Sequence, residues 1–151
     1  MEDLPLKTEN EEENPKPETF NFLGFTFYCS TSYNTGRFVI KVKTDSKKFR
    51  DKVKKFKEWI KIVRNIEEKV IIESTKLKLV GHYRYYGVTY NFECIKKYYY
   101  CVCNLLYKWL NRRSQKKSFN MEQFINKINK EWCIPRPMIY VNLLNYAYSW
   151  L

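Results

Sequence analysis

Paired aspartates are what this 151-residue sequence most conspicuously lacks. Its only aspartates are Asp3, Asp45 and Asp51, with no Asp-Asp or Asp-x-Asp among them. Two-metal phosphoryl transfer needs such clusters, so no catalysis by this chain alone is expected, and no metal or other cofactor. Histidine is scarcer still. His82 stands alone between Gly81 and Tyr83, where a hydrogen-bonded packing role is expected over a general base. The five cysteines contain no Cys-x-x-Cys pair, and with one histidine they make no zinc-site pattern. Reduced thiols are the reading. Four glycines form neither a phosphate loop nor a nucleophile elbow. No apolar run approaches the roughly 18 residues of a membrane-spanning helix, and no secretory signal opens the sequence. A cytoplasmic chain with no membrane partner is expected.

Positive charge is abundant. Lysine and arginine number 28 against 16 acids, for a net of +12. The acids are unevenly placed: residues 1–19 hold seven of them against two lysines, a net of −5 that leaves +17 for the rest. That first segment, with Glu11-Glu12-Glu13 and Pro15-Lys16-Pro17, reads as a disordered acidic tail or linker. The remainder is long enough for one domain with a modest core. A polyanion is its expected partner, with an anionic membrane surface as the rival.

Residues 20–43 read as a β-hairpin. An aromatic strand from Phe20 to Tyr28, with Gly24 as a bulge, precedes a turn-rich segment from Ser30 to Gly36. Then Phe38, Ile40 and Val42 alternate with Arg37, Lys41 and Lys43, placing apolar groups on one face and cations on the other. A helix over 45–64 follows, capped by Asp45 or Ser46, with Phe49, Val53, Phe56, Ile60 and Val63 as its apolar stripe. Its lysines, including Lys47, Lys48, Lys54, Lys55 and Lys61, read as a solvated face. A second helix over 66–80 has Ile66, Val70, Leu77 and Val80 on one side, and runs into a segment where Gly81 permits close packing and Gly87 can end the helix. A long helix over 91–113 sets Phe92, Ile95, Tyr99, Val102, Leu106 and Trp109 toward a core, and Lys97, Tyr100, Asn104 and Lys108 on the other side. Arg112-Arg113 and Lys116-Lys117 lie in a basic link. Asn120 and Gln123 resemble a capping pair for a last helix near 121–131, and Pro135-Arg136-Pro137 breaks the chain before an apolar tail.

The stretch that organises the chain is Gly81-His82-Tyr83-Arg84-Tyr85-Tyr86-Gly87-Val88. Aromatic rings among cations can stack on bases and pair with phosphates; tyrosines at helical spacing also pack a core with a wet hydroxyl at its edge. This stretch resembles the signature of the maturase (X, or thumb) domain of group II intron reverse transcriptases. Phe22-Leu23-Gly24-Phe25 resembles the block that closes the palm of those enzymes. The run from Leu106 to Gln115 and the Pro-Arg-Pro of 135–137 extend the likeness over roughly 20–142.

The resemblance implies a mainly α fold: an N-terminal β-hairpin, the end of a palm, over 20–43, then a three- to four-helix thumb-like bundle over 44–142 and a tail over 143–151. It implies binding of group II intron RNA, or of an RNA/DNA duplex, in support of splicing or reverse transcription. The polymerase motif Tyr-x-Asp-Asp is missing. The cations expected at the RNA are Arg37, Lys41, Lys43, Arg84, Lys97, Lys108, Arg112, Arg113, Lys116 and Lys117, with Tyr100 among them. Two alternatives stay open. The chain is either a piece that works with a separate fingers/palm polypeptide, or a binder of polyanions or membrane surfaces without selectivity.

Overall fold

The computed structural model describes residues 18–113 and 119–143. A small antiparallel sheet is followed by helices, in the order β1 (Thr19–Phe22), β2 (Phe25–Thr31), β3 (Phe38–Thr44), α1 (Ser46–Val63), α2 (Glu68–Tyr86), α3 (Phe92–Leu110) and α4 (Met121–Asn126). A π-helical turn, Lys127–Glu131, extends α4. The fold is thus mainly α with an N-terminal hairpin sheet, as expected.

The sheet has three strands rather than two, ordered β1-β2-β3. Gly24 is not a bulge. Leu23 and Gly24 take φ of 49° and 82°, so the aromatic segment doubles back through a two-residue turn. Glycine is required twice over here, since a Cβ at Gly24 would lie 2.9 Å from the Tyr86 hydroxyl. The Tyr85 hydroxyl donates to the Leu23 carbonyl at 2.7 Å, and the Phe25 ring lies 5.2 Å from that of Tyr86. The turn is thereby fixed to the end of α2.

Where the sheet meets the helices, Asn91 is completely buried. Its Oδ1 accepts from the Thr44 backbone N–H at 2.7 Å, and its Nδ2 donates to the Tyr86 carbonyl at 2.7 Å and to Thr44 Oγ1 at 2.9 Å. One side chain therefore ties β3 to the end of α2 and the start of α3. An unsatisfied group at such a depth costs about 1–3 kcal/mol.

Asp45 caps α1 by accepting from the Lys48 N–H at 2.9 Å. The core face of α2 departs from the expected stripe. Ile66, Val70 and Leu77 are exposed, whereas Ile71, Ile72, Thr75, Leu79, His82, Tyr83 and Tyr86 are buried. Thr75 is tolerated inside because its hydroxyl donates to the Ile71 carbonyl at 2.8 Å. On α3 Tyr98, not Tyr99, is buried together with Trp109; Tyr99 is half-buried beside the core and Phe92 is exposed. Gly87 ends α2 as expected: a Cβ there would collide with the Tyr83 carbonyl and lie 2.8 Å from that of Met138.

Asn120 and Gln123 form a reciprocal capping box at the start of α4. Glu68 joins this region to α2, accepting from Trp132 Nε1 at 3.0 Å and from Lys127 Nζ at 3.4 Å. Beyond the prolines the chain returns to Gly87, whose carbonyl accepts from the Tyr140 and Val141 N–H groups at 2.7 and 3.0 Å. Within the described residues no helix is long and apolar enough to cross a membrane.

Candidate nucleic-acid interface

Helices α1 and α2 each pack against α3 more extensively than against one another. A groove is left between them, and three of the lysines of α1 line it. Lys48, Lys52 and Lys55 recur at i, i+4 and i+7, which places them on one helical face. Lys52 and Lys55 line two neighbouring recesses, of about 300 and 560 Å³. The smaller is completed by Phe56 and Leu77 and by Lys78, Gly81, His82 and Tyr98. The larger reaches the Leu23–Gly24 turn and includes Lys48, Asp51, Tyr85 and Tyr86.

Gly81 does not mediate close packing, as nothing lies within 4 Å of where its Cβ would be. It opens the wall of the smaller recess. His82 is only 5 % exposed, and its ring lies parallel to that of Tyr98 at 3.8 Å between centroids. Its packing role is as expected; the hydrogen bond is not, because neither ring nitrogen has a partner among the described residues. Burial foremost, and then the Lys52 ammonium, lowers the imidazole pKa from 6.5 to about 3. His82 is therefore neutral at physiological pH, with one N–H to offer. Burial also raises the Tyr98 hydroxyl to about 12, so it too stays protonated.

Four cations, Lys48, Lys52, Lys55 and Lys78, thus border one groove with Asp51 as the single acid lining it. Among the described residues none of the four lies within ion-pair distance of a carboxylate. Lys78 instead sits over the Trp59 ring at 4.7 Å. Like charges held around a concavity repel one another and raise the local concentration of anions.

The residues expected from the sequence are dispersed. Lys41 and Lys43 share a sheet face with Tyr28. Lys43 lies over the Tyr28 ring at 5.2 Å, while Lys41 donates to the Thr31 carbonyl at 3.1 Å and lies 5.8 Å from the Tyr90 ring. Arg37 is in the loop before β3. Arg84 is exposed on α2 but does not line the groove. Lys97, Tyr100, Asn104 and Lys108 form the exposed side of α3, as their spacing predicts. Arg112 joins Lys61 and Arg64 around the Trp109 ring, at 5.0, 5.7 and 5.3 Å. Arg113 is occupied by the Ile66 carbonyl and lies 4.0 Å from Glu68, so it is held to α2. Lys116 and Lys117 lie outside the described residues.

By sequence alone Lys48 and Lys55 belong to a merely solvated face, and nothing singles out Lys52 or Lys78. The lysine spacing on α1 is the one signal that could have found the groove. Its opposite wall could not be located, because the exposed stripe of α2 is as apolar as the buried one. The basic groove, with aromatic rings in its floor and walls, defines a candidate polyanion interface on a helical scaffold. No family model, curated protein or solved structure matches the chain.

Proposed function

We propose that this protein is an RNA-binding module of the maturase/thumb kind that grips structured RNA, such as a group II intron or an RNA/DNA duplex, along the groove between α1 and α2. The observation that carries this reading is the set of four lysines without ion-pair partners, among the described residues, around one concave surface. Phosphates entering there would neutralise charges that repel one another, and a rigid helical groove selects a backbone shape rather than a base sequence. Tyr85, exposed beside the groove, offers a ring to an unpaired base. In this reading the protein does no chemistry by itself. Fluorescence anisotropy with a folded intron RNA, competed by duplex DNA, heparin and anionic liposomes, tests it. Preference for the folded RNA supports selectivity; equal competition by liposomes or heparin would make the groove a general polyanion surface.

A second reading rests on the sheet. Phe20, Ile40 and Phe38 are 59, 66 and 87 % exposed, and the strand register puts them on one face with Phe27 and Cys29. Such a contiguous apolar face on a small sheet suits a protein partner. In this reading a separate fingers/palm polypeptide docks there and supplies the missing carboxylates. Co-purification of a chain bearing Tyr-x-Asp-Asp, abolished by Phe38→Asp, would support it. Primer extension by the pure protein would contradict both readings.

A further inference from the structure

The smaller recess carries a more specific assignment than the groove as a whole. It is deep enough to include a side chain from each of three helices: Lys52 and Lys55 from α1, Lys78 and His82 from α2, and Tyr98 from α3. At its wall, a 95 % buried imidazole has two nitrogens with no hydrogen-bond partner among the described residues. Buried polar atoms are overwhelmingly paired, so an orphan imidazole beside a cationic recess has a hydrogen bond left to give to an acceptor that enters it. The absence of a side chain at Gly81 keeps the recess open beside it.

We propose that this recess is a seat for a terminal phosphomonoester, such as the 5′ phosphate of an RNA strand. The lysines supply charge, and His82 donates its N–H to one phosphate oxygen. A phosphodiester within a strand exposes two non-bridging oxygens and is flanked by sugars on both sides. A monoester presents three acceptor oxygens and a greater negative charge, and it can enter a recess end-on. Three lysines and one neutral donor match that demand. The Tyr98 ring, which lines the recess too, stacks on the imidazole and limits how far its plane can turn. The assignment rests on the polyanion reading of the groove and adds to it the recognition of a strand end.

The single histidine makes the test direct, because every imidazole signal in the full chain belongs to His82. The ring nitrogens are followed by NMR while inorganic phosphate, a short 5′-phosphorylated RNA, or the same RNA with a 5′ hydroxyl is added. The phosphorylated strand is expected to bind about ten- to a hundredfold more tightly than the hydroxyl form, the range of one charge-assisted hydrogen bond, and to shift the His82 signals saturably. His82→Phe keeps a ring for Tyr98 to stack on and should abolish that preference, bringing the phosphorylated strand to the same affinity as the hydroxyl strand in the same variant. Lys55→Gln, on the solvent side of α1, should reduce the preference without any question of folding. Equal affinity for the two strands with unmoved His82 signals overturns the seat and leaves RNA binding standing. A His82 shift with inorganic phosphate, when neither RNA binds, supports the seat as one for free phosphate and overturns the RNA reading instead.

Discussion

The groove between α1 and α2 and the outer side of α3 are built from the same residue types, yet they differ in what they can hold. Lys97, Tyr100 and Lys108 stand exposed on a convex helical face. The two lysines are eleven residues apart, about 16 Å along the axis, which exceeds the Debye length of about 8 Å at physiological salt. Each acts on a ligand almost alone. Lys52, Lys55 and Lys78 border a single recess of about 300 Å³. There the fields add, and the protein walls screen them less than water does. Lysine and tyrosine on a helix do not make a site; curvature that brings several cations to one volume does.

The largest test of this contrast lies within α3 itself. Tyr98 forms the floor of the recess and is 4 % exposed, whereas Tyr100, two residues on, is 54 % exposed. Tyr98→Ala is expected to cost about 3–5 kcal/mol of stability, as for other large aromatic truncations, and Tyr100→Ala no more than about 0.5 kcal/mol. Urea unfolding of the two variants gives the answer directly. Equal losses would mean that the two sides of α3 have been mistaken for one another.

A pH effect should follow from His82. Its folded pKa of about 3 lies below the ordinary 6.5, so the unfolded chain takes up a proton that the folded chain refuses. The stability this contributes is fully present above pH 6.5 and is lost progressively as pH falls toward 3. Between pH 6.5 and 5 the loss should be about 1.5 kcal/mol, in a window where only the carboxylates, at its lower end, also begin to titrate. His82→Phe should flatten that part of the profile. A wild-type melting temperature that is level from pH 6.5 to 5 would place the imidazole in water rather than beneath the groove.

For binding, the triple change of Lys52, Lys55 and Lys78 to Gln should lower the salt slope of log affinity for RNA by roughly 2–3, at about 0.7–0.9 for each phosphate no longer neutralised. The smallest effect is expected on the convex side. Lys97→Gln with Lys108→Gln should change the slope by less than about 0.9, the value for a single phosphate, and leave stability within about 0.5 kcal/mol. Anisotropy across a salt series measures both. A larger loss from the α3 pair than from the groove triple would reverse the comparison and return the interface to the face that the sequence alone suggests.

Much of this arrangement was written in local pattern. Asp45 before the lysine-rich helix, the Asn120–Gln123 capping box, Gly87 as a stop and the exposed stripe of α3 all depend on interactions within a few residues, and each lies where the sequence puts it. The hairpin was legible as strands, but the Leu23–Gly24 reversal was not, because one glycine serves a bulge and a turn equally well. What made it a turn is Tyr85 and Tyr86, about sixty residues away, against which only a glycine fits. The face of α2 was illegible for a similar reason. Ile66, Val70 and Leu77 have the hydrophobicity of core residues, and hydrophobicity fixes a period without saying which of two apolar stripes finds a partner. The sequence by itself determined helices, caps and an excess of positive charge, since these follow from short-range geometry and counting. Only the tertiary structure decided which lysines share a recess and that a buried histidine lies at its wall, because concavity is a property of how helices lean on one another.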